Sequence, residues 1–223
     1  MPLFFVTWRI YDDKKSDCYT YFANMTDEDH KNDHGALKSY GRWHNLGNCT
    51  GASVVEASTA EDVYNWVWNW SETMCTGDVV PVIDHNKIRE VILGSPPEWV
   101  FSYENSSAEP NTGEVLYLAS YEFYDDCKVK GFELCCSKTY EEDREANGKG
   151  AFRHLGRWHL PNEGKGHIIC AAKDSNDLFA WANKWASMVK ISFQPVLTDK
   201  AVAKLIKEKA VYEKNLADMM AKM

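Results

Sequence analysis

Short apolar runs of strand length alternate along this chain with stretches whose apolar residues recur every three or four positions. Leu3 to Ile10 is an aromatic and β-branched run and predicts a strand; Asp12 and Asp13 follow as helix N-cap candidates. Cys18, Tyr21, Phe22 and Met25 then keep helical spacing over 16–25. Thr26 to Asp29 has the form of a capping box for a further short turn. Strands are expected over 37–45, 52–57 and 79–83. Thr59 to Asp62 caps a helix whose apolar face is Val63, Trp66, Val67 and Trp70, and Asp84 caps a short one reaching Ile92.

The same pattern then starts again, with strands at 116–123, 152–160, 166–172 and 191–197 and helices at 127–138 and 175–187. Gly41-Arg42-Trp43-His44 recurs as Gly156-Arg157-Trp158-His159, and Leu3 to Asp13 matches Leu116 to Asp126. Trp66 and Trp70 match Trp181 and Trp185, and Pro81 matches Pro195. Similarity at a nearly constant spacing means two homologous units in one polypeptide. Each reads β-α-β-β-α-β, the ferredoxin-like split order. The expected division is 1–93 and 115–207 for the units, 94–114 for a Pro-, Ser- and Asn-rich linker, and 208–223 for a helical extension. Trp99, Val100, Phe101 and Tyr103 suggest that part of the linker lies down on a domain.

The run from Phe179 to Val196, a helix with Trp181 and Trp185 followed by an aliphatic strand closing on Pro195-Val196, resembles the end of a family of bacterial proteins of unknown function. The first unit shows the motif more loosely, in Trp66, Trp70 and Val79 to Val82. That family lies in the dimeric α/β-barrel superfamily, in which two ferredoxin-like units pack sheet to sheet. The resemblance covers one unit per half. It implies an α+β fold with two tandem ferredoxin-like units forming an intrachain pseudo-dimeric barrel, closed within the chain and followed by a C-terminal helix. It carries over no catalytic residue.

A net charge of −8 and a pI near 5.4 argue against a nucleic-acid surface. No apolar run is long enough to span a membrane, and the N-terminus lacks a basic segment. Seven cysteines at 18, 49, 75, 127, 135, 136 and 170 form no C-x-x-C pair, so reduced thiols in a cytoplasmic, intracellular protein are expected. Sequons at Asn24, Asn48, Asn69 and Asn105 pull the other way but are coincidental in so Asn-rich a chain.

Strand alternation puts Arg42 and His44 on one face and Trp43 on the other. Thr7 and Arg9 share a face of the first strand; the second unit offers Ser120 and Glu122 with Arg157 and His159. Arg and His beside a hydroxyl suit a small anionic or carbonyl-bearing ligand, with His as a general base. The plainer alternative is that Arg and His bond loop carbonyls or carboxylates at strand ends, and that Trp43 and Trp158 are core. Arg9 and Glu122, equivalent by repeat, are expected to be buried enough to need a partner, Arg157 or each other. His30 and His34 have the i, i+4 spacing of a metal pair, but the second unit has no His there and a solvated acidic helix is expected. Trp66, Trp68 and Trp70 raise a heme pocket, since some α/β-barrel relatives degrade heme. No His stands at an assignable axial position, and no cofactor or metal is expected.

The leading expectation is therefore a small-molecule-binding α/β-barrel protein, with room for cofactor-independent enzyme activity and a pocket between sheet and helices in one or both halves. The alternative is a non-catalytic structural or assembly protein. Val202, Leu205, Tyr212, Leu216, Met219 and Met223 form a heptad-spaced stripe, interrupted by Lys209. It predicts a helix docked on a barrel, its own or a neighbour's, and so a route to homo-oligomers.

Overall fold

The computed structural model describes residues 1–103, 107–147 and 152–220, with Leu216 and Asp218 described by backbone alone. The first repeat runs β1 (Leu3–Ile10), α1 (Lys15–Asn24), α2 (Asp27–His34), β2 (Lys38–Asn45), β3 (Thr50–Glu56), α3 (Ala60–Ser71), β4 (Cys75–Asp84) and α4 (His85–Leu93). The second repeat runs β5 (Val115–Phe123), α5 (Lys128–Cys136), α6 (Tyr140–Ala146), β6 (Phe152–Leu160), β7 (Lys165–Ala172), α7 (Ser175–Trp185), β8 (Val189–Thr198) and α8 (Asp199–Met220). The order is that of two tandem ferredoxin-like repeats, an α+β chain closed by a C-terminal helix. Both expected capping boxes form, Thr26 with Asp29 and Thr59 with Asp62, and Thr139 with Glu142 makes a third. Each such cap is worth about 1 kcal/mol to its helix.

Two compact units form, and each takes the end of the other repeat. One comprises Met1–Phe5 with Val80–Val196, the other Val6–Val79 with Leu197–Met223. In the second of these, β2 pairs antiparallel with β3 from Lys38↔Glu56 to Asn45↔Thr50, and the end of β8 lies along the other edge at Trp43↔Thr198. Helix α8 packs on α1: Val202 is fully buried and Ile206 joins Ile10, Cys18, Tyr19 and Phe22. In the other unit β5 lies between β7 and β8, β6 follows β7, and the end of β4 pairs with β6 at Ile83↔His159. There α4 packs on α5 and β6, and Ile88 enters a core with Phe123, Phe132, Phe152, Leu178 and Trp181.

The repeated tetrapeptide has a packing logic. A side chain on Gly41 would put its Cβ 2.4 Å from the Trp43 ring, and one on Gly156 would meet the Trp158 ring at 2.0 Å. Glycine two residues before each Trp thus makes room for an indole laid back along its own strand. Both strands also bulge at the same place, between Ser39 and Gly41 and between His154 and Gly156. Trp43 and Trp158 are core, and Arg and His fall on the opposite face.

Several expectations change. The acidic segment is a full helix, α2, with no buried residue; it is solvated over Asp27, Glu28, Asp29, Lys31 and Asn32, while His30, Asp33 and His34 are half-buried along one edge. All seven cysteines are free thiols. Of the heptad stripe's described side chains only Val202 docks α8. It is buried, and Ile206 one turn on is half-buried, because the helix meets α1 by its i, i+4 edge; Leu205, Tyr212 and Met219 are exposed. Met223 and the Asn105 sequon lie outside the described residues, as does the side chain of Leu216.

Two tests follow from this packing. Gly156→Ala should destabilise the fold by about 1–3 kcal/mol in urea unfolding, since the Trp158 ring has nowhere to go. Removal of residues 208–223 should leave the melting temperature within about 2 °C, because the described side chains beyond Ile206 make no core contact, whereas Val202→Ala should cost about 1–2 kcal/mol.

Candidate functional site

Each Arg-Trp-His strand presents its Arg and His to a cleft between sheet and helices. In the first, of about 420 Å³, Arg42 and His44 are lined up with Trp8, Ile10, Phe22, Trp66 and Trp70. In the second, of about 520 Å³, Arg157 and His159 stand with Tyr121, Lys138, His154, Trp181 and Trp185. A buried guanidinium needs counter-charge and acceptors, and in both places one acceptor is the first residue of a helix belonging to the other repeat, Asp199 or His85.

Arg42 donates through Nε to both oxygens of Asp199, at 3.1 and 3.0 Å, and its Nη2 lies 2.9 Å from Asp199 Oδ2. Nη1 reaches Asp33 at 3.4 Å, and Nη2 donates to His30 Nδ1 at 2.9 Å. His44 donates Nε2–H to Asp199 at 2.8 Å. Burial alone would raise the Asp199 carboxyl, but the His44 hydrogen bond and the Arg42 charge outweigh it and bring its pKa to about 2. Asp33 also accepts the indole N–H of Trp70 at 2.6 Å and of Trp66 at 3.1 Å.

Arg157 makes a fork to Asp143, 2.8 Å on each side, and its Nη1 lies 3.4 Å from His85 Nε2. A guanidinium only donates, which fixes the tautomers beyond it. His85 accepts on Nε2 and so donates Nδ1–H to His159 Nε2 at 3.0 Å. His159 then donates Nδ1–H to the Tyr121 hydroxyl, whose own hydrogen must point elsewhere. Burial lowers all three imidazoles of this cleft, His85, His154 and His159, the last to about 3, so they are neutral. Burial pushes Tyr121 well up.

Aligned by repeat, His30 matches Asp143 and Asp199 matches His85. At these two positions each Arg meets one Asp and one His, interchanged between the repeats, and Arg42 has Asp33 as a second carboxylate.

The structure brings together Arg42 with His44 and Arg157 with His159, and separates the rest from them. Trp8 and Ile10 line the first cleft, so Thr7 and Arg9 point from the opposite face of β1. Tyr121 and Phe123 line the second, and Ser120 turns away to His167 at 3.1 Å. Glu122 is exposed beside Lys165 at 3.7 Å, and Arg9 is exposed too, which overturns their expected burial. Alternation tells which residues of one strand share a face; it does not tell which faces of two strands meet. His85, Asp199, Asp143, Lys138 and His154 were missed. The repeat alignment carried a signal for the first two, since both open a helix straight after a strand at matching positions. The linker does lie down: Tyr103 donates to Arg157 O at 2.8 Å and accepts from His85 N at 2.6 Å, and Phe101 sits under the Arg157 guanidinium.

An α+β fold of tandem ferredoxin-like repeats with a sheet–helix cleft in each defines the class, that of α/β-barrel proteins. The chain belongs to the family of the domain of unknown function DUF3303, whose model matches it twice, at residues 2–95 and 115–210. No curated protein matches it. Two solved structures share the fold. A candidate monooxygenase from Lactobacillus acidophilus NCFM is 10% identical with a TM-score of 0.51, over 89% of this chain and 94% of that one. A candidate chlorite dismutase is 8% identical with a TM-score of 0.55, over 92% and 99%. Among the described residues no group of His, Cys, Asp and Glu could hold a metal ion, and no helix is long and apolar enough to cross a membrane.

The neutral histidines predict acid lability. With His159 at about 3 and His167 at about 4 in the folded state, both lowered by burial, and His85 and His154 lowered in the same way, the unfolded chain binds at least two protons near pH 5 that the folded chain does not. Stability is thus complete above about pH 6.5 and falls by at least about 3 kcal/mol per pH unit near pH 5. Urea unfolding at pH 7, 6 and 5 measures that slope, and His159→Gln should lower it by about 1.4 kcal/mol per pH unit.

Proposed function

We propose that the cleft of the second repeat binds a small anionic or carbonyl-bearing molecule. The observation that carries this is a surplus of donors in an apolar setting. Arg157 Nε, His154 Nε2 and Trp185 Nε1 are buried with no hydrogen-bond partner among the described residues. Lys138 stands over the Trp185 ring at 4.2 Å, and the Tyr121 hydroxyl has spent its acceptor role on His159. The other side of the cleft is Phe123, Ile168, Trp181, Val189 and Ile191. A buried donor without an acceptor costs about 1–3 kcal/mol, and several in one place favour a ligand that supplies oxygen atoms. The neutral His159–His85 pair offers a proton relay, which leaves room for cofactor-independent enzyme activity on such a ligand.

A second reading concerns protein contacts. Leu205, Val211, Tyr212, Met219 and Met220 of α8 are exposed, which favours homo-oligomers formed through that helix. Light scattering of the chain with and without residues 208–223 separates the two, since only assembly through α8 predicts a fall in oligomer number.

Native mass spectrometry of the protein from its own source should show one small-molecule adduct per chain. A Trp185→Leu chain should lose the adduct while keeping its far-ultraviolet spectrum. An adduct-free protein that also gains no thermal stability from any member of a metabolite panel would sink the reading.

A further inference from the structure

The two clefts differ at one position in a way that identifies a ligand group. In the first repeat Asp33 holds three donors at once: Trp70 Nε1 at 2.6 Å, Trp66 Nε1 at 3.1 Å and Arg42 Nη1 at 3.4 Å. All three donors persist in the second repeat as Trp185, Trp181 and Arg157. Their acceptor does not. Counting from the matching caps Thr26 and Thr139, the residue equivalent to Asp33 is Ala146. The indole N–H of Trp185 is accordingly buried without a partner among the described residues, whereas that of Trp70 is bonded.

Two further replacements point the same way. Met25 is matched by Lys138 and Ser39 by His154, and both lie against the second cleft. His154 is weakly engaged on Nδ1 by Asn147 at 3.5 Å, which leaves Nε2 as the N–H that has no partner. The formal charge around the first cleft, from Arg42, Asp33 and Asp199, is −1; around the second, from Arg157, Lys138 and Asp143, it is +1. The first repeat thus carries its own carboxylate, and the second has lost that carboxylate and gained a cation.

We infer that the second cleft takes a carboxylate carried on an apolar body, and that Asp33 marks in the first repeat where the carboxylate goes. The inference rests on the reading of this cleft as a binding site and adds the chemical group. A planar pair of oxygens suits two indole N–H groups on neighbouring helical turns, as Asp33 shows. The apolar wall of Phe123, Ile168 and Val189 calls for a hydrocarbon or aromatic remainder, which an inorganic anion lacks. By the same logic the first cleft is closed to such ligands, because its acceptor site is occupied from within.

Fluorescence and calorimetric titration at pH 7.5 with phenylacetate and hexanoate, against 2-phenylethanol and hexanol, tests the assignment on the full chain. The acids should bind one per chain and at least about 10-fold more tightly than the alcohols. Ala146→Asp, which restores the internal carboxylate, should weaken acid binding by at least about 10-fold with no loss in melting temperature. Lys138→Met should remove most of the preference for acid and spare alcohol binding. Asp33→Ala should raise the stoichiometry toward two. Equal binding of acids and alcohols by the unaltered chain would overturn the carboxylate and leave the cleft as a binding site. So would acid binding that Ala146→Asp and Lys138→Met both leave unchanged. Failure of acids and alcohols alike to bind would overturn the cleft itself, and the carboxylate with it.

Discussion

Two buried guanidinium groups set the terms for this structure. Arg42 and Arg157 stand on strands whose other face is filled by a core Trp, so neither can swing out to water without dismantling its strand. A charge held in that way must be paired, and the partners come from two directions: one from the short helix after α1 or α5, the other from the first turn of α8 or α4. Neither repeat contains a complete set. Arg42 is in the first repeat and Asp199 in the second; Arg157 is in the second and His85 in the first. The exchange of terminal helices thus brings Arg42 its bidentate carboxylate and Arg157 an imidazole acceptor, as well as covering apolar surface.

Asp and His are interchanged between the two sites: Arg42 takes its bidentate carboxylate from Asp199 and an imidazole from His30, with Asp33 beside them, and Arg157 takes its carboxylate from Asp143 and an imidazole from His85. Where Asp sits on the exchanged helix, it accepts from both Arg42 and His44 and the bonding ends there. Where His sits there, the bonding runs on through His159 to Tyr121 and stops at the cleft. In the first repeat the Asp33 carboxylate also takes up the indole N–H groups of Trp66 and Trp70, whereas its equivalent in the second repeat is Ala146.

Burial has a price in pH range. Histidines that serve as neutral hydrogen-bond relays keep their shape only while the surrounding solution leaves the unfolded chain unprotonated as well. Four such histidines, His85, His154, His159 and His167, lie in the unit that contains the second cleft, and burial also lowers His30 and His44 in the other.

Much of the architecture was legible in the residues, because strand and helix period, capping boxes and an internal repeat are local or self-referential signals. The Leu3–Ile10 strand, the Trp66 helix and the tandem ferredoxin-like order needed nothing more. The same signals singled out Arg42, His44, Arg157 and His159, since Gly-Arg-Trp-His is a strand motif with a fixed face pattern. They could not show that Tyr121 and not Ser120 shares that face, because the phase between two strands is set by register. Nor could they show that Asp199 and His85 complete the sites, because helices distant in sequence are joined to them only by folding. The edge of α2 that turns inward and the i, i+4 edge by which α8 docks were decided the same way. Periodicity names the residues able to be buried, and the counter-charges and surfaces within reach decide which of them are.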